Sequence, residues 1–366
     1  ANESQESREK RESKGWGELT NPRSIKPDGS LELVVSKDWT SGFFPGELWY
    51  LYEYTHNPYW KEQAQKHTEI LEREKNNGKT HDMGFKMYCS FGNGYRLTQD
   101  ERYKEILLQS ARTLSTRFKP KAGIIRSWDH NKDKWQCPVI IDNMMNLELL
   151  FWATKESKDS TYYNIAVSHA RTTMKNHFRA DYSCYHVIDY DTITGQVLKK
   201  NTHQGLAHES AWARGQAWAL YGYTMCYRET KLPEFLEQAK KVEQYLFTHK
   251  NMPEDLIPYW DFDAPGIPNE PRDASAATVI ASALYELSQY DRKNSERYKK
   301  NADRIVENLT NSYRTTLNKD NGFLLLHSTG TKPTNVEVDV PIVYADYYFI
   351  EALLRKDKLE KTGKLF

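Results

Sequence analysis

Eight residues with the chemistry of binding or proton transfer stand where charge-poor segments begin: Trp39, His81, Asp82, Asp142, Arg214, Trp218, Arg272 and Asp273. The junctions that hold them, with one more of the same kind near the C-terminus, read "DWTSGFFPG", "THDMGF", "VIIDNMMN", "HESAWARGQAW", "PRDASAAT" and "VPIVYADYY". Two carboxylates brought close together do not both ionise easily, so one has its pKa raised. A helix N-terminus pulls the other way and favours the charged form. A pair split by these forces holds one proton and can deliver it, as an acid/base residue near neutrality must. An arginine fork grips a carboxylate on a ligand, and indole faces stack on sugar rings. Gathered in one cavity, these groups would bind an anionic sugar.

Each residue also has a plainer role. Asp142, Asp82 and Asp273 all precede helical segments, where a short acid caps free backbone N–H groups. Trp39 and Trp218 fit a core, and Arg214 with Trp218, at i and i+4, fits a cation–π pair. His186 in "CYHVIDY" reads as a structural histidine. His203 and His208 flank "QGLA" at a spacing that matches no zincin motif, so neither a metal site nor a cofactor is expected. There is no G-x-S-x-G, no phosphate-cradling glycine loop and no reactive-looking cysteine. The chemical reading depends on whether the elements bring these residues together.

Two kinds of helical segment alternate along the chain. The polar kind comprises "NPYWKEQAQKHTEILERE", "TQDERYKEILLQSARTLSTRF", "DSTYYNIAVSHARTTMKNHF", "LPEFLEQAKKVEQYLFTHK" and "NSERYKKNADRIVENLTNSY". Asn57 with Pro58 opens the first, and Thr98 with Glu101 has capping-box spacing in the second. Each carries an aromatic followed four residues later by an apolar or small residue: Trp60/Ala64, Tyr103/Leu107, Tyr162/Ala166, Phe235/Ala239 and Tyr298/Ala302. That spacing puts both on one inward face.

Before each lies a segment almost free of charge and rich in Gly, Ala and aromatics: "FFPGELWYLYEYT", "GFKMYCSFGNGYRL", "NMMNLELLFWAT", "ARGQAWALYGYTMCYRE" and "ASAATVIASALYELSQY", with a sixth, "YADYYFIEALLRK", near the C-terminus. Helices apolar all round belong inside. Repeated helical hairpins need neighbours to bury their faces, and an open array would leave the sixth exposed. The alternation therefore predicts one all-α domain, an (α/α)6 barrel over residues 31–366. Residues 1–30 form an N-terminal segment placed to supply the last outer helix. In such a ring all six inner N-termini share one mouth, and the eight residues converge there.

Composition sets outer bounds. Lys plus Arg is 51 and Asp plus Glu is 50, so no global field selects nucleic acid. No apolar run approaches the ~20 residues of a membrane helix. The chain holds 10 Trp and 24 Tyr, a supply of flat faces for sugars. Cys89, Cys137, Cys184 and Cys226 lack C-x-x-C spacing and read as buried free thiols. The opening "ANESQESREKRESK" is compatible with a removed signal peptide, which inclines the reading toward periplasmic export over a cytoplasmic location.

At its mouth residues the sequence resembles the unsaturated glucuronyl hydrolases, family 88 of the glycoside hydrolases. The likeness runs from "DWTSGFFPGELWYLY" through "HDMGF", "IIDNMMNLELLFWA", "THQGLAHESAWARGQAWALYGY" and "RDASAA" to "ADYYFIEALLR". It implies the same barrel and an unusual reaction on glycosaminoglycan oligosaccharides that end in a 4,5-unsaturated uronic acid. The C4–C5 double bond is hydrated, and the hemiketal then opens and expels the remaining sugar. The resemblance makes Asp142 the acid/base and Asp82 its essential companion. It sets His186, Gln204 and Arg214 around the unsaturated ring, with Trp39, Trp128 and Trp218 as aromatic walls, and His81 at the same mouth is expected to bind substrate with them. Ser328, Thr331 and Lys332 in "LLLHSTGTKPTN" lie where related enzymes contact the second sugar and its sulfate. An unsaturated rhamnogalacturonyl hydrolase, an inverting glycosidase with carboxylates about 6.5–9.5 Å apart, and a non-catalytic binder of anionic sugars are the competing readings.

Overall fold

The computed structural model describes residues 5–366. Six helical segments form a closed inner ring. In chain order they are Phe43–Thr55; a π-helical stretch Gly84–Gly92 continued by Asn93–Thr98; a 3-10 turn Ile141–Asn146 continued by Leu147–Ser157; Ala213–Thr230; Ala274–Leu287; and Val343–Thr362. Each packs on the next, and the last packs on the first. Their lack of charge has its cause here, since every residue of Ala274–Leu287 is buried. Outside lie Pro58–Glu69, Glu101–Ser115, Ser160–Asn176, Pro233–Thr248 and Ser295–Asn308, each against the inner segment that precedes it. The double ring is the (α/α)6 barrel, built as one domain.

The paired aromatic and small residues of the outer helices face inward. Ala64, Tyr103, Leu107, Tyr162, Ala166, Phe235, Ala239, Tyr298 and Ala302 are all buried, and Trp60 is half-buried. Asn57 caps its helix, its Oδ1 accepting from Tyr59 N at 3.0 Å, with Pro58 at the first turn. The expected Thr98 capping box is not formed. Thr98 ends the preceding inner segment, and Asp100 caps Glu101–Ser115 by accepting from Arg102 N at 2.9 Å. A carboxylate two residues before that amide reaches it better than a hydroxyl four residues before it. All four cysteines are free, three of them buried.

Residues on either side of position 30 are joined by a hairpin, Asn21–Ile25 pairing with Leu31–Val34. Ser24 Oγ donates to the Pro341 carbonyl at 2.7 Å, tying this hairpin to the entrance of the last inner helix. The helix Gln5–Ser13 buries none of its residues. Among the described residues no helix is long and apolar enough to cross a membrane.

Two features of the fold set the mouth. First, a three-stranded antiparallel sheet, Pro138–Ile140 with Val187–Tyr190 and Val197–Asn201, lies beside it. Its register pairs Ile140 with Val187, and Ile141 N donates to the His186 carbonyl at 3.0 Å. Asp142, just after one strand, therefore comes beside His186, just before the other. Second, the π-helical segment crosses the Ile141–Asn146 turn at Gly84, and Asn146 Oδ1 accepts from Phe85 N at 3.0 Å. A Cβ on Gly84 would stand 2.6 Å from Asn146 Cα and 2.8 Å from its Oδ1. Gly84→Ala should therefore force apart the two segments that carry Asp82 and Asp142, at a cost of about 1–3 kcal/mol. Denaturant unfolding checks this, and a variant as stable as the wild type would show that the crossing yields freely.

Candidate active site

Asp142 lies in the first turn of Ile141–Asn146, yet it does not cap it. The N-cap position is Ile140, and no side chain caps this end. The Asp142 carboxyl is 6% exposed, and its Oδ2 is buried without a hydrogen-bond partner. Burial lifts its pKa to about 6, against the pull of His81 and Arg214 and with a further push from Asp82. Loss of hydration raises a carboxyl in this way. The capping alternative for Asp142 is overturned, because no side chain caps this turn and the one amide acting on the carboxyl is that of Asp142 itself.

Asp82 takes the opposite state. Burial works to raise its pKa, but His81, Thr80 and Lys86 together hold it below the ordinary carboxylate range. His81 Nε2 lies 3.1 Å from Asp82 Oδ1, and the Thr80 hydroxyl donates to Oδ2. The mouth thus holds one carboxyl poised to carry a proton near neutrality and one that stays ionised.

His186 completes the inner site. Its Nδ1 accepts from the backbone N–H groups of His203 and Gln204, both at 3.1 Å. Two donors on Nδ1 place the ring proton on Nε2. Burial foremost, then His203 and Arg214, hold its pKa far below the usual histidine value, so the ring is neutral. Nε2 faces Asp142 Oδ2 at 3.6 Å, beyond hydrogen-bond reach, and is itself buried without a partner. The ring rests against Trp212 at 4.5 Å.

Arg214 is buried at the same mouth, but its fork is engaged. Nη1 donates to Asp273 Oδ2 at 2.7 Å and to the Thr329 carbonyl at 2.6 Å, and Nη2 donates to the Gly330 carbonyl at 2.8 Å. Only Nε is left without a partner. The guanidinium stacks on Trp212 and Tyr344, 4.5 and 5.2 Å from the ring centres, rather than on Trp218. Arg214 therefore locks the hairpin Ser328–Thr331/Val336–Val340 to the barrel and adds a positive charge behind Asp142. Asp273 is a cap as well as a partner, since it accepts from Ser275 N at 3.1 Å. Arg272 points elsewhere, to Asp255 at 3.0 Å.

The aromatic residues divide. Trp39 is half-buried, 4.9 Å from Tyr344 and 5.4 Å from Phe85. Trp128 pairs its backbone with Thr80, and its buried Nε1 lacks a partner. Trp218 exposes no surface and sits between Phe85 and Tyr348, behind the wall rather than on it. Gln204 Nε2 donates to the Gly330 carbonyl at 3.3 Å. Ser328 is buried with an unpartnered hydroxyl, while Thr331 and Lys332 are half-buried at the hairpin turn.

Buried polar atoms without partners are rare in folded proteins. Others are scattered through the fold, but residues of the mouth carry six of them: Asp142, His186, His81, Trp128, Arg214 and Ser328. A polar ligand would satisfy them. Trp212, Tyr344 and Thr80 were not singled out from sequence, although all three lie in the quoted junctions. Among the described residues, no group of three or more His, Cys, Asp or Glu could hold a metal ion.

A family model described as Glycosyl Hydrolase Family 88 matches residues 12–358. An unsaturated glucuronyl hydrolase of Formosa agariphila is 54% identical over 94% of this chain and 86% of its own. An unsaturated chondroitin disaccharide hydrolase of Streptococcus pneumoniae is 31% identical, covering 90% of this chain and 84% of its own. A crystal structure of an unsaturated glucuronyl hydrolase specific for heparin superposes with a TM-score of 0.92 at 48% identity, over 96% of this chain and 94% of that one.

The buried state of Asp142 has a consequence for stability. With a pKa of about 6 in the fold against an ordinary 3.8, it binds more protons folded than unfolded between those values. Its favourable contribution is full below about pH 4 and is lost as pH rises through about 6. Asp142→Asn removes that loss. Relative to wild type the variant should gain about 1–3 kcal/mol on going from pH 4 to pH 8, as read by denaturant unfolding at each pH. Parallel stability curves for the two proteins would mean that Asp142 titrates as an ordinary carboxylate.

Proposed function

Because this chain belongs to Glycosyl Hydrolase Family 88, we propose that its mouth hydrates the C4–C5 double bond of a 4,5-unsaturated uronic acid at the end of a glycosaminoglycan oligosaccharide. The protein is an unsaturated glucuronyl hydrolase in fold and in activity. The observation that carries the residue roles is the paired state of its acids: Asp142 buried, unpartnered and protonatable near neutrality, Asp82 ionised beside it.

In this reading Asp142 gives its proton to C4. Positive charge then develops at C5 and the ring oxygen, and the ionised Asp82 stabilises it at short range in a site of low polarisability. Water adds to C5 and returns a proton to Asp142. The hemiketal so formed breaks its C5–O5 bond to leave a ketone at C5. The hemiacetal left at C1 then opens to an aldehyde and releases the rest of the sugar as an alcohol. Neutral His186, whose Nε2 has no partner in the protein, donates to the uronate, and Trp39 and Trp128 border the ring. The hairpin with Ser328, Thr331 and Lys332 meets the second sugar. Arg214 acts through charge, its unpartnered Nε and its hold on that hairpin, since its fork is already filled.

The identity to a hydrolase specific for heparin puts heparin-lyase disaccharides first among the candidate substrates, ahead of chondroitin and hyaluronan fragments.

The test is turnover of lyase-generated disaccharides, followed by loss of the conjugated double bond's ultraviolet absorbance. Asp142→Asn should lower kcat by roughly 10²–10⁴. In the wild type, turnover should decline as pH rises through about 6, because the proton donor is then ionised. Near-normal turnover by the variant would return Asp142 to a structural role, and failure of the wild type on every unsaturated disaccharide would leave a sugar-binding protein.

A further inference from the structure

Besides the crossing at Gly84, a second tie joins the segments of the two acids, and it runs through residues that stand outside the chemistry above. The short segment 125–128 passes between those segments. Ser127, which exposes no surface, bonds to both. Its carbonyl accepts from His81 N at 3.0 Å, and its own N–H donates to the Pro138 carbonyl at 2.9 Å. Its hydroxyl oxygen accepts from Ile140 N at 3.0 Å. His81 immediately precedes Asp82, and Ile140 stands just ahead of the turn that holds Asp142. One buried serine therefore spaces one acid from the other.

The segment is itself held firmly. Both backbone groups of Ile125 are engaged, its carbonyl accepting from Asn143 Nδ2 at 2.7 Å and its N–H donating to His169 Nδ1 at 2.9 Å. Asn143 directly follows Asp142, while His169 belongs to the outer helix Ser160–Asn176. Both side chains are fully buried. At the other end Trp128 pairs with Thr80, whose hydroxyl donates to Asp82. Asp142 is thus bracketed, tied through Ile140 before it and Asn143 after it, to the segment that also carries His81. Two of these ties run through side chains, Ser127 Oγ and Asn143 Nδ2, and each can be removed singly.

We propose that Ser127, together with Asn143, is a positioning residue of the reaction, holding the Asp142 turn at a fixed place relative to His81 and Asp82. The inference rests on the hydrolase reading. Delivery of a proton to a carbon depends on placement, and a displacement of about 1 Å can cost about a hundredfold in rate. Placement also sets the state of the donor. The Asp142 carboxyl answers to His81, Arg214 and Asp82, faces His186 and acts on the Cys184 thiol. Loosening the serine tie moves it relative to His81 and Asp82 while Arg214 stays fastened to Asp273. Charge interactions change with distance, so the aim and the titration of Asp142 should change together.

The experiment measures kcat, KM and the pH profile of kcat on an unsaturated disaccharide for wild type, Ser127→Ala and Asn143→Ala. Each variant should lower kcat by roughly ten- to a hundredfold and leave KM within about twofold. In each, the decline of kcat with rising pH should be displaced from its wild-type position by about 0.5 in pH or more. A purely structural serine would lower stability and the amount of folded enzyme without moving that profile. Asn143→Ala breaks the other tie and carries the same test where Ser127→Ala does not fold. A folded variant with an unmoved pH profile, or with kcat near that of the wild type, overturns the positioning role. A wild type inactive on every unsaturated disaccharide fails the hydrolase reading itself, an outcome distinct from active variants with unmoved profiles.

Discussion

One unpaid cost organises the mouth of this barrel: the Asp142 carboxyl is out of water, with an oxygen that nothing in the protein satisfies. Burying a carboxylate without partners is expensive, and the group responds by holding its proton. The surroundings are arranged to keep that state within reach of neutrality rather than to abolish it. Arg214 and His81 pull toward ionisation while burial and Asp82 push against it. Had Asp142 capped its turn by accepting from the N–H groups that follow it, the charge would have been stabilised further and the proton lost.

The rest of the fold follows as support for that arrangement. Six inner helices converge their first turns, which brings residues far apart in sequence within a few ångströms. The small sheet adds what the barrel alone would not: its register sets His186 beside Asp142, and the turn after its last strand fixes the imidazole tautomer. The close crossing at Gly84 brings the segments of the two acids together. Arg214, buried against Asp273 and two carbonyls, is costly to desolvate alone but well compensated here. It fastens to the barrel the hairpin that borders the substrate side.

Much of this was legible in the chain. The alternation of charge-free and amphipathic segments is a direct record of inner and outer position, and ring closure followed from the apolar sixth segment. The convergence of Asp82, Asp142, His81 and Arg214 followed from closure. What could not be read was how each side chain spends its bonds. Asp142 and Asp273 look alike before a helix, yet only the second is a cap. Arg214 shows a free fork in sequence because its partners, Asp273 and the 329–330 carbonyls, lie 59 to 116 residues away. Trp218 belongs to an inner helix, but its rotation about the axis puts it behind Phe85. Trp212 and Tyr344 escaped notice because their role, to back a buried cation and an imidazole, is a matter of contact alone.

In the proposed reaction the proton of Asp142 goes to a carbon and the water to its neighbour. An ordinary inverting glycosidase protonates the leaving oxygen and directs water to the anomeric carbon. Isotopic labels separate the two. With an unsaturated disaccharide in water enriched in heavy oxygen and deuterium, the product trapped before its carbonyl oxygens exchange is read by mass spectrometry. Hydration predicts heavy oxygen first at C5 and deuterium at C4. Heavy oxygen first at C1, with no deuterium at C4, would contradict it.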